Sequence, residues 1–180
     1  MMADLEVLVG SKISLIPFKK ESISERYIGW LNDPEVNRFL EVRFVHQTYE
    51  TVLAYVSSFY GDAEKYMWGV YPNNTDNLIG TATLSNIVRH HGSGIIGLMI
   101  GEKEYWGKGY GTEIIKLVVD YAFKKLSLHK VTAGAVAANK SSIKAFQKAS
   151  FEIEGRAKSH LHLDGKYYDA VYLGRIKEDS

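Results

Sequence analysis

The stretch from Ile95 to Thr112, IIGLMIGEKEYWGKGYGT, constrains the chain more than any other. An apolar run bounded by Gly94 and Gly101 passes through a short charged turn into three glycines at alternate positions, Gly107, Gly109 and Gly111. From Thr112 to Leu126 apolar residues recur at three and four, placing Ile114, Ile115, Val118, Val119, Ala122, Phe123 and Leu126 on one helical face. The order is strand, glycine loop, helix start. A helix start presents unpaired N–H groups and the positive end of the macrodipole, and glycines let a ligand come close to that backbone. The pattern predicts an anion site, most simply for phosphate, with Lys108 adding positive charge inside the loop.

Two common nucleotide loops are excluded. A Walker loop needs GxxxxGK[ST], which does not occur here. A dinucleotide fingerprint needs GxGxxG, but Thr112 stands where its last glycine belongs, and His129, Lys130 and Val131 occupy the region of the acidic ribose ligand. What remains is [Q/R]xxGx[G/A], with Gly109 and Gly111 in the glycine places and Trp106 in the Gln/Arg place. This resembles the pyrophosphate loop of the GCN5-related N-acetyltransferases (GNAT), and YWGKGYGT is similar to their RimJ/RimL-like subgroup, which acetylates ribosomal protein N-termini and amino sugars. A second stretch, NKSSIKAFQKASF from Asn139 to Phe151, resembles the family's NxxAxxxYxxxGF helix, with Asn139 in the Asn place and Ser142 in the Ala place. WLNDPEVNRFLE, from Trp30 to Glu41, resembles the subgroup's acceptor-side segment.

The resemblance implies an α/β (α+β) fold in one domain over residues 1–180, a mostly antiparallel twisted sheet with splayed central strands and helices on both faces. It implies acetyl-CoA as cosubstrate and no metal. The pantetheine arm would bond the backbone of Leu98, Met99 and Ile100, with Met99 N–H as oxyanion donor. The pyrophosphate would take amides of Trp106, Gly107, Lys108, Gly109, Tyr110, Gly111 and Thr112, with Asn139 on the arm. The family's frequent general acid, a tyrosine seven residues after the Asn, falls on Phe146, which has no proton to give. Ser142 is then the candidate partner of the coenzyme sulfur, and Glu41, His90, His91 and Glu102 are the candidate bases. For the acceptor, an amino sugar on a nucleotide carrier leads, with a protein N-terminus as the alternative and a non-catalytic acyl-CoA binder beyond that. A homodimer through the C-terminal strands is compatible with the resemblance.

The rest of the chain reads as follows. Ile13 to Pro17 is a strand, and Glu21 to Leu31 a helix capped by Ser22 or Ser24 and stopped at Asn32-Asp33-Pro34. Glu35 to Glu41 is a short helical turn, and Thr48 to Tyr60 a helix opened by Thr48 with Thr51 three on. Tyr66 to Tyr71 and Leu78 to Asn86 form a hairpin, and Arg89 to Gly94 is a mobile polar loop. Its paired histidines lack a third ligand at metal-site spacing. Lys130 to Val136 is β-rich, and Phe151 to Ile176 gives two strands around Asp164-Gly165. The aromatics between Tyr27 and Tyr60 are mostly core, with one or two walling the acceptor pocket. Residues 1–5 and 177–180 read as frayed ends.

A net charge of +1 over 180 residues gives no general attraction to nucleic acid or membrane. The absence of cysteine excludes disulfides and thiolate chemistry. With no apolar leader or spanning run, the chain is expected in the cytoplasm.

Overall fold

The computed structural model describes residues 5–178; the rest of the ends read as frayed lies outside them. The chain runs through β1 (Leu8–Val9), β2 (Ile13–Pro17), α1 (Glu25–Asn32), α2 (Tyr49–Ser57), β3 (Tyr66–Pro72), β4 (Gly80–Val88), β5 (Ser93–Ile100), α3 (Tyr110–Lys124), β6 (Lys130–Val136), α4 (Lys140–Lys148), β7 (Glu152–Leu163) and β8 (Lys166–Ile176). The strands form one sheet in the order β1-β2-β3-β4-β5-β6-β8-β7. Every pairing is antiparallel except β5 with β6, whose crossover runs through α3.

That parallel pair is short. Only Ser93, Gly94 and Ile95 meet Lys130, Val131 and Thr132. Beyond them β5 stays on β4 as far as Ile100, and β6 stays on β8 along its whole length. The sheet therefore splits into two halves that part after Ile95 and Thr132. At the same level the β4 register slips between Ser85 and Val88, so that extra β4 residues face one stretch of β5. Such a bulge bends its strand and increases the local twist.

Two apolar cores lie on opposite faces. On one, α3 and α4 cover the sheet: Ile114, Ile115, Val118, Val119 and Ala122 are fully buried, as their periodicity predicts, against Trp68, Leu84 and Ile96. Burying one such side chain contributes about 1.5–3 kcal/mol, so this face supplies much of the fold's stability. On the other face, α1 and α2 pack Tyr27, Trp30, Val52 and Val56 onto Phe18, Met67 and Met99.

Several boundaries differ from the sequence expectation, each for a local reason. The first helix begins at Glu25 because Ser24, not Ser22, accepts from Tyr27 N–H at 3.2 Å, and Lys20–Ser22 is a separate 3-10 turn. The segment 35–41 forms no helical turn of the kind expected. Asn37 N–H bonds Asp33 O at 2.9 Å and Leu40 N–H bonds Asn37 O at 2.8 Å as isolated turns. The Asp33 carboxylate takes Glu35 N–H at 2.8 Å, and the Asn37 side chain donates to Leu31 O at 2.8 Å. Beyond the segment, Asn32 bonds both backbone groups of Gln47. A 3-10 turn follows at Glu41–Phe44. Thr48 and Thr51 cap α2 reciprocally, as their spacing predicts. The segment expected to be a mobile loop is instead held: Arg89–His91 is a 3-10 turn closed by Gly92, whose carbonyl accepts from His129 and Lys130 N–H at 2.7 and 2.9 Å. Asp164 and Gly165 both have positive φ, which matches the twist of the β7–β8 hairpin.

Helix α4 ends in a left-handed residue, Ser150, at φ 65°. The family pattern has glycine there, and a side chain in that region costs about 1 kcal/mol. Ser150→Gly is expected to raise the melting temperature by about 2–4 °C, read by thermal denaturation.

Candidate active site

The glycine loop becomes a helix two residues earlier than periodicity predicts. Gly109 sits at φ 88° as the N-cap of α3, and the first helical bond runs from Glu113 N–H to Gly109 O at 3.2 Å. The amides of Tyr110, Gly111 and Thr112 come before it and have no partner among the described residues. Gly107, at φ 72°, is the other residue that needs the left-handed region. Trp106 stands where the motif has Gln or Arg, and its indole Nε1 donates to Ile100 O at 2.8 Å. The side chain that breaks the pattern thus ties the loop to the end of β5.

That carbonyl points into the gap. Gly101 N–H donates to Ile79 O on the β4 side, and backbone direction alternates along a strand. The groups of Met99 therefore face β4, while those of Leu98 and Ile100 face the side from which β6 has withdrawn. This corrects the expected oxyanion donor: Met99 N–H is turned to β4, and the open amides are those of Leu98 and Ile100. The Met99 side chain belongs to the α1/α2 core, whereas Leu98 and Ile100 pack beneath the start of α3. Across the gap, Asn139 caps α4, its Oδ1 accepting from Ser142 N–H at 3.2 Å and from Ser141 Oγ at 3.0 Å. Its Nδ2 has no hydrogen bond among the described residues. Ser142 is half-buried, and Phe146 packs its ring 5.0 Å from Phe151 inside the core.

The acceptor-side segment is tied down on both sides of the gap. The Trp30 ring lies on Gly101 so closely that any side chain there would clash. Lys103, just beyond β5, pairs with Asp33 at 2.9 Å and with Glu35. On the far side, Arg43 pairs with Asp164 at the tip of β7–β8. That hairpin continues past the end of β6, where Val136 meets Ala170. Residues 33–43 therefore span the mouth of the gap. Among the aromatics of this region, Tyr27 and Trp30 are core, while Phe44, Tyr49 and Tyr55 are exposed. Burial drives the Tyr27 phenol well above its ordinary pKa, so it stays neutral.

The candidate bases separate. Glu102 accepts from Arg26 Nε at 2.7 Å and from Trp30 Nε1 at 3.0 Å, and the Arg26 bond holds its carboxyl below the usual glutamate range. It locks α1 to the end of β5. His90 and His91 are exposed beside the start of β5, at the closed end of the β5–β6 pair. His91 lies in the turn before Ser93, and Ser93 to Ile96 spans about 10 Å of strand paired with β6 as far as Ile95, so the structure holds His91 at the closed end and not at the gap. Glu41 is exposed on the spanning segment and has no hydrogen bond among the described residues. No group of three or more His, Asp or Glu side chains among the described residues is arranged to hold a metal, and no helix there is long and apolar enough to cross a membrane. Sequence reasoning missed Lys12. Its ammonium donates to Lys108 O at 3.2 Å from the turn between β1 and β2, and nothing in its local sequence marks it.

A split sheet with a glycine-rich helix start at its mouth is the architecture of an acyl-CoA-dependent transferase. The profile of the acetyltransferase (GNAT) domain matches residues 12–152, and the chain belongs to that family. It is 37% identical over 117 residues to the probable N-acetyltransferase YjcK of Bacillus subtilis, 64% of each chain. It is 29% identical to the ribosomal protein uS5-alanine N-acetyltransferase of Escherichia coli over 71% of this chain and 66% of that one. The spermidine N-acetyltransferase of Vibrio cholerae, solved with CoA and spermine, shares the fold at a TM-score of 0.82 and 20% identity, covering 93% of this chain and 96% of that one. The protein is an acyltransferase of the N-acetyltransferase class, as the two motifs imply.

Two outcomes follow. A Cβ on Gly111 would meet nothing nearer than Leu98 Cδ1 at 3.7 Å, so Gly111→Ala fits and improves helix propensity. It is expected to leave the melting temperature unchanged or higher and CoA affinity within about threefold by calorimetry, because the loop pattern accepts alanine in this place. A bulky Gly111→Leu should instead weaken CoA about tenfold or more. For Glu102, a folded-state pKa below the unfolded value means that its pairing stabilises above the ordinary carboxyl pKa of 4.5 and is lost as pH falls through the folded value. Glu102→Gln should cost about 1 kcal/mol at pH 7, and the gap to wild type should close in melts below that range.

Proposed function

We propose that this chain transfers the acetyl group of acetyl-CoA directly to the primary amine of a protein N-terminus, as a RimJ/RimL-like N-acetyltransferase. The parting of β5 from β6, in line with the unpaired amides of α3, carries the cosubstrate half of this reading. The pantetheine arm takes the place of the missing strand on the Leu98 and Ile100 backbone, and the pyrophosphate sits on Tyr110, Gly111 and Thr112. Asn139 Nδ2 faces the arm.

The acceptor half rests on charge. Most acidic side chains at the spanning segment are already engaged: Asp33 and Glu35 share Lys103, and Glu102 pairs with Arg26. This leaves Glu41 as the one carboxylate on residues 33–43 without an ion pair among the described residues. A polycation has little to gain there, whereas one amine on an extended chain needs no acidic pocket. The uS5-alanine enzyme, a relative in sequence, supports a protein N-terminus ahead of the nucleotide-linked amino sugar that the aromatic-rich acceptor segment suggests. Phe44 and Tyr49, exposed on that side, keep the sugar as the second reading.

In the reaction the neutral amine attacks the thioester carbonyl, whose oxygen takes negative charge beside the Leu98 or Ile100 N–H. The C–S bond breaks as the tetrahedral adduct collapses, and the thiolate takes a proton from water, directly or relayed through the Ser142 hydroxyl, which recovers its own proton from that water. Glu41 accepts the amine proton, directly or through water.

Thiol release from acetyl-CoA tests this reading cleanly, because a chain without cysteine adds no background. Release is expected with alanine-initiated peptides and not with UDP-amino sugars or spermidine. Release with the sugars alone overturns the protein acceptor. Glu41→Gln should lower kcat about a hundredfold with an unchanged melting temperature, and an unchanged kcat removes Glu41 as base.

A further inference from the structure

We propose that Lys12, on the turn between β1 and β2, is a phosphate-binding residue of the CoA site, supplied from outside the loop motif and selecting for the nucleotide-bearing carrier. The inference rests on the reading that the loop binds CoA.

Lys12 is far from the loop in sequence and beside it in space. Its Nζ lies 3.2 Å from Lys108 O, 3.8 Å from a Cβ built on Gly109, and 5.6 Å from the centre of the Tyr110 ring. These residues flank the unpaired amides of α3. The turn that carries it is pinned on all sides. Gly10 N–H bonds Ile13 O at 2.8 Å, Asn73 N–H bonds Lys12 O at 2.9 Å, and Asn73 Nδ2 bonds Gly10 O at 3.0 Å. Lys12 N–H itself donates to Glu113 Oε1 at 2.8 Å. The backbone bearing this lysine is thus held before any ligand arrives, which reduces the entropy lost on binding.

The charge has no competing partner. Lys12 takes part in no ion pair among the described residues, although eight other pairs form there. The nearby carboxylate, Glu113, is engaged by Ser11 Oγ and by the Lys12 backbone. One neutral carbonyl leaves two ammonium donors for an anion. The turn and α3 also border an open hollow of about 320 Å³, with Gly109, Thr112 and Lys116 in its wall, as well as Glu113 and Asp120. Gly10 and Ser11 of the turn line that hollow and Lys12 does not, so the contacts to Lys108 O and Gly109, not the hollow, place the ammonium at the loop.

The test is calorimetric binding of CoA, 3′-dephospho-CoA and pantetheine to the whole chain and to Lys12→Met and Lys12→Arg. The lysine side chain is exposed, and the melting temperature of Lys12→Met is expected to match wild type. Lys12→Met should weaken CoA about tenfold or more, leave pantetheine unchanged, and flatten the salt dependence of CoA affinity. Lys12→Arg should recover most of the loss. If the loss persists with 3′-dephospho-CoA, the contact is to the diphosphate; if it disappears, the contact is to the 3′-phosphate, and either supports the proposal. Equal losses for CoA and pantetheine, or no loss for either, overturn it while leaving the CoA reading intact. Failure of wild type to bind CoA overturns both.

Discussion

The structure depends on a sheet that keeps eight strands in one order yet lets its two middle strands part after three residue pairs. Each strand retains its outer neighbour, so the split costs only the ladder between the central pair. It leaves the backbone of Leu98 and Ile100 facing a gap, and such groups need a partner when water is excluded. The protein covers one of them itself, the Ile100 carbonyl, with the Trp106 indole. A ligand with amide groups along an extended arm satisfies the others in the way a neighbouring strand would.

Stability and positioning come from different parts of the chain. The core under α3 and α4 takes side chains from both halves of the sheet and holds them together, the core under α1 and α2 covers only the β1–β5 half, and neither needs the gap to be filled. The polar ties around the mouth are partly exposed, and ion pairs of that kind contribute about 0–1 kcal/mol each. Their effect is geometric. Arg26 and Trp30 meet at Glu102, Lys103 joins the segment after α1 to the end of β5, and Arg43 carries that segment to Asp164 on the last hairpin. The acceptor side is thereby set relative to the glycine loop, and the carboxylates used for this are no longer available as bases.

The site's electrostatics follow the same division. The start of α3 offers amides and a dipole, Lys108 and Lys12 add charge, and Glu113 is engaged by the β1–β2 turn. Phe146 stands where the family pattern has tyrosine and packs its ring on Phe151, so that position offers no proton.

What could be read from the sequence was what short range encodes. The buried stripe of α3, the Thr48–Thr51 cap and the Asp164-Gly165 turn each depend on residues within about one helical turn or hairpin tip, so their spacing announces them. The glycine loop leading into α3 was legible for the same reason. Where side chains bonded backbone groups, as at Asn32 and Asn37, or where a carbonyl fastened a turn, as Gly92 does, the periodic signal misled. The direction of Met99, the distance of His91 from the gap, the commitment of Glu102 to Arg26 and the arrival of Lys12 at the loop were decided only by the tertiary structure. Lys12 and Lys108 are 96 residues apart, Arg26 and Glu102 76, Arg43 and Asp164 121. Contacts over such separations exist only once the strand order has made neighbours of distant segments, and no local spacing carries that information.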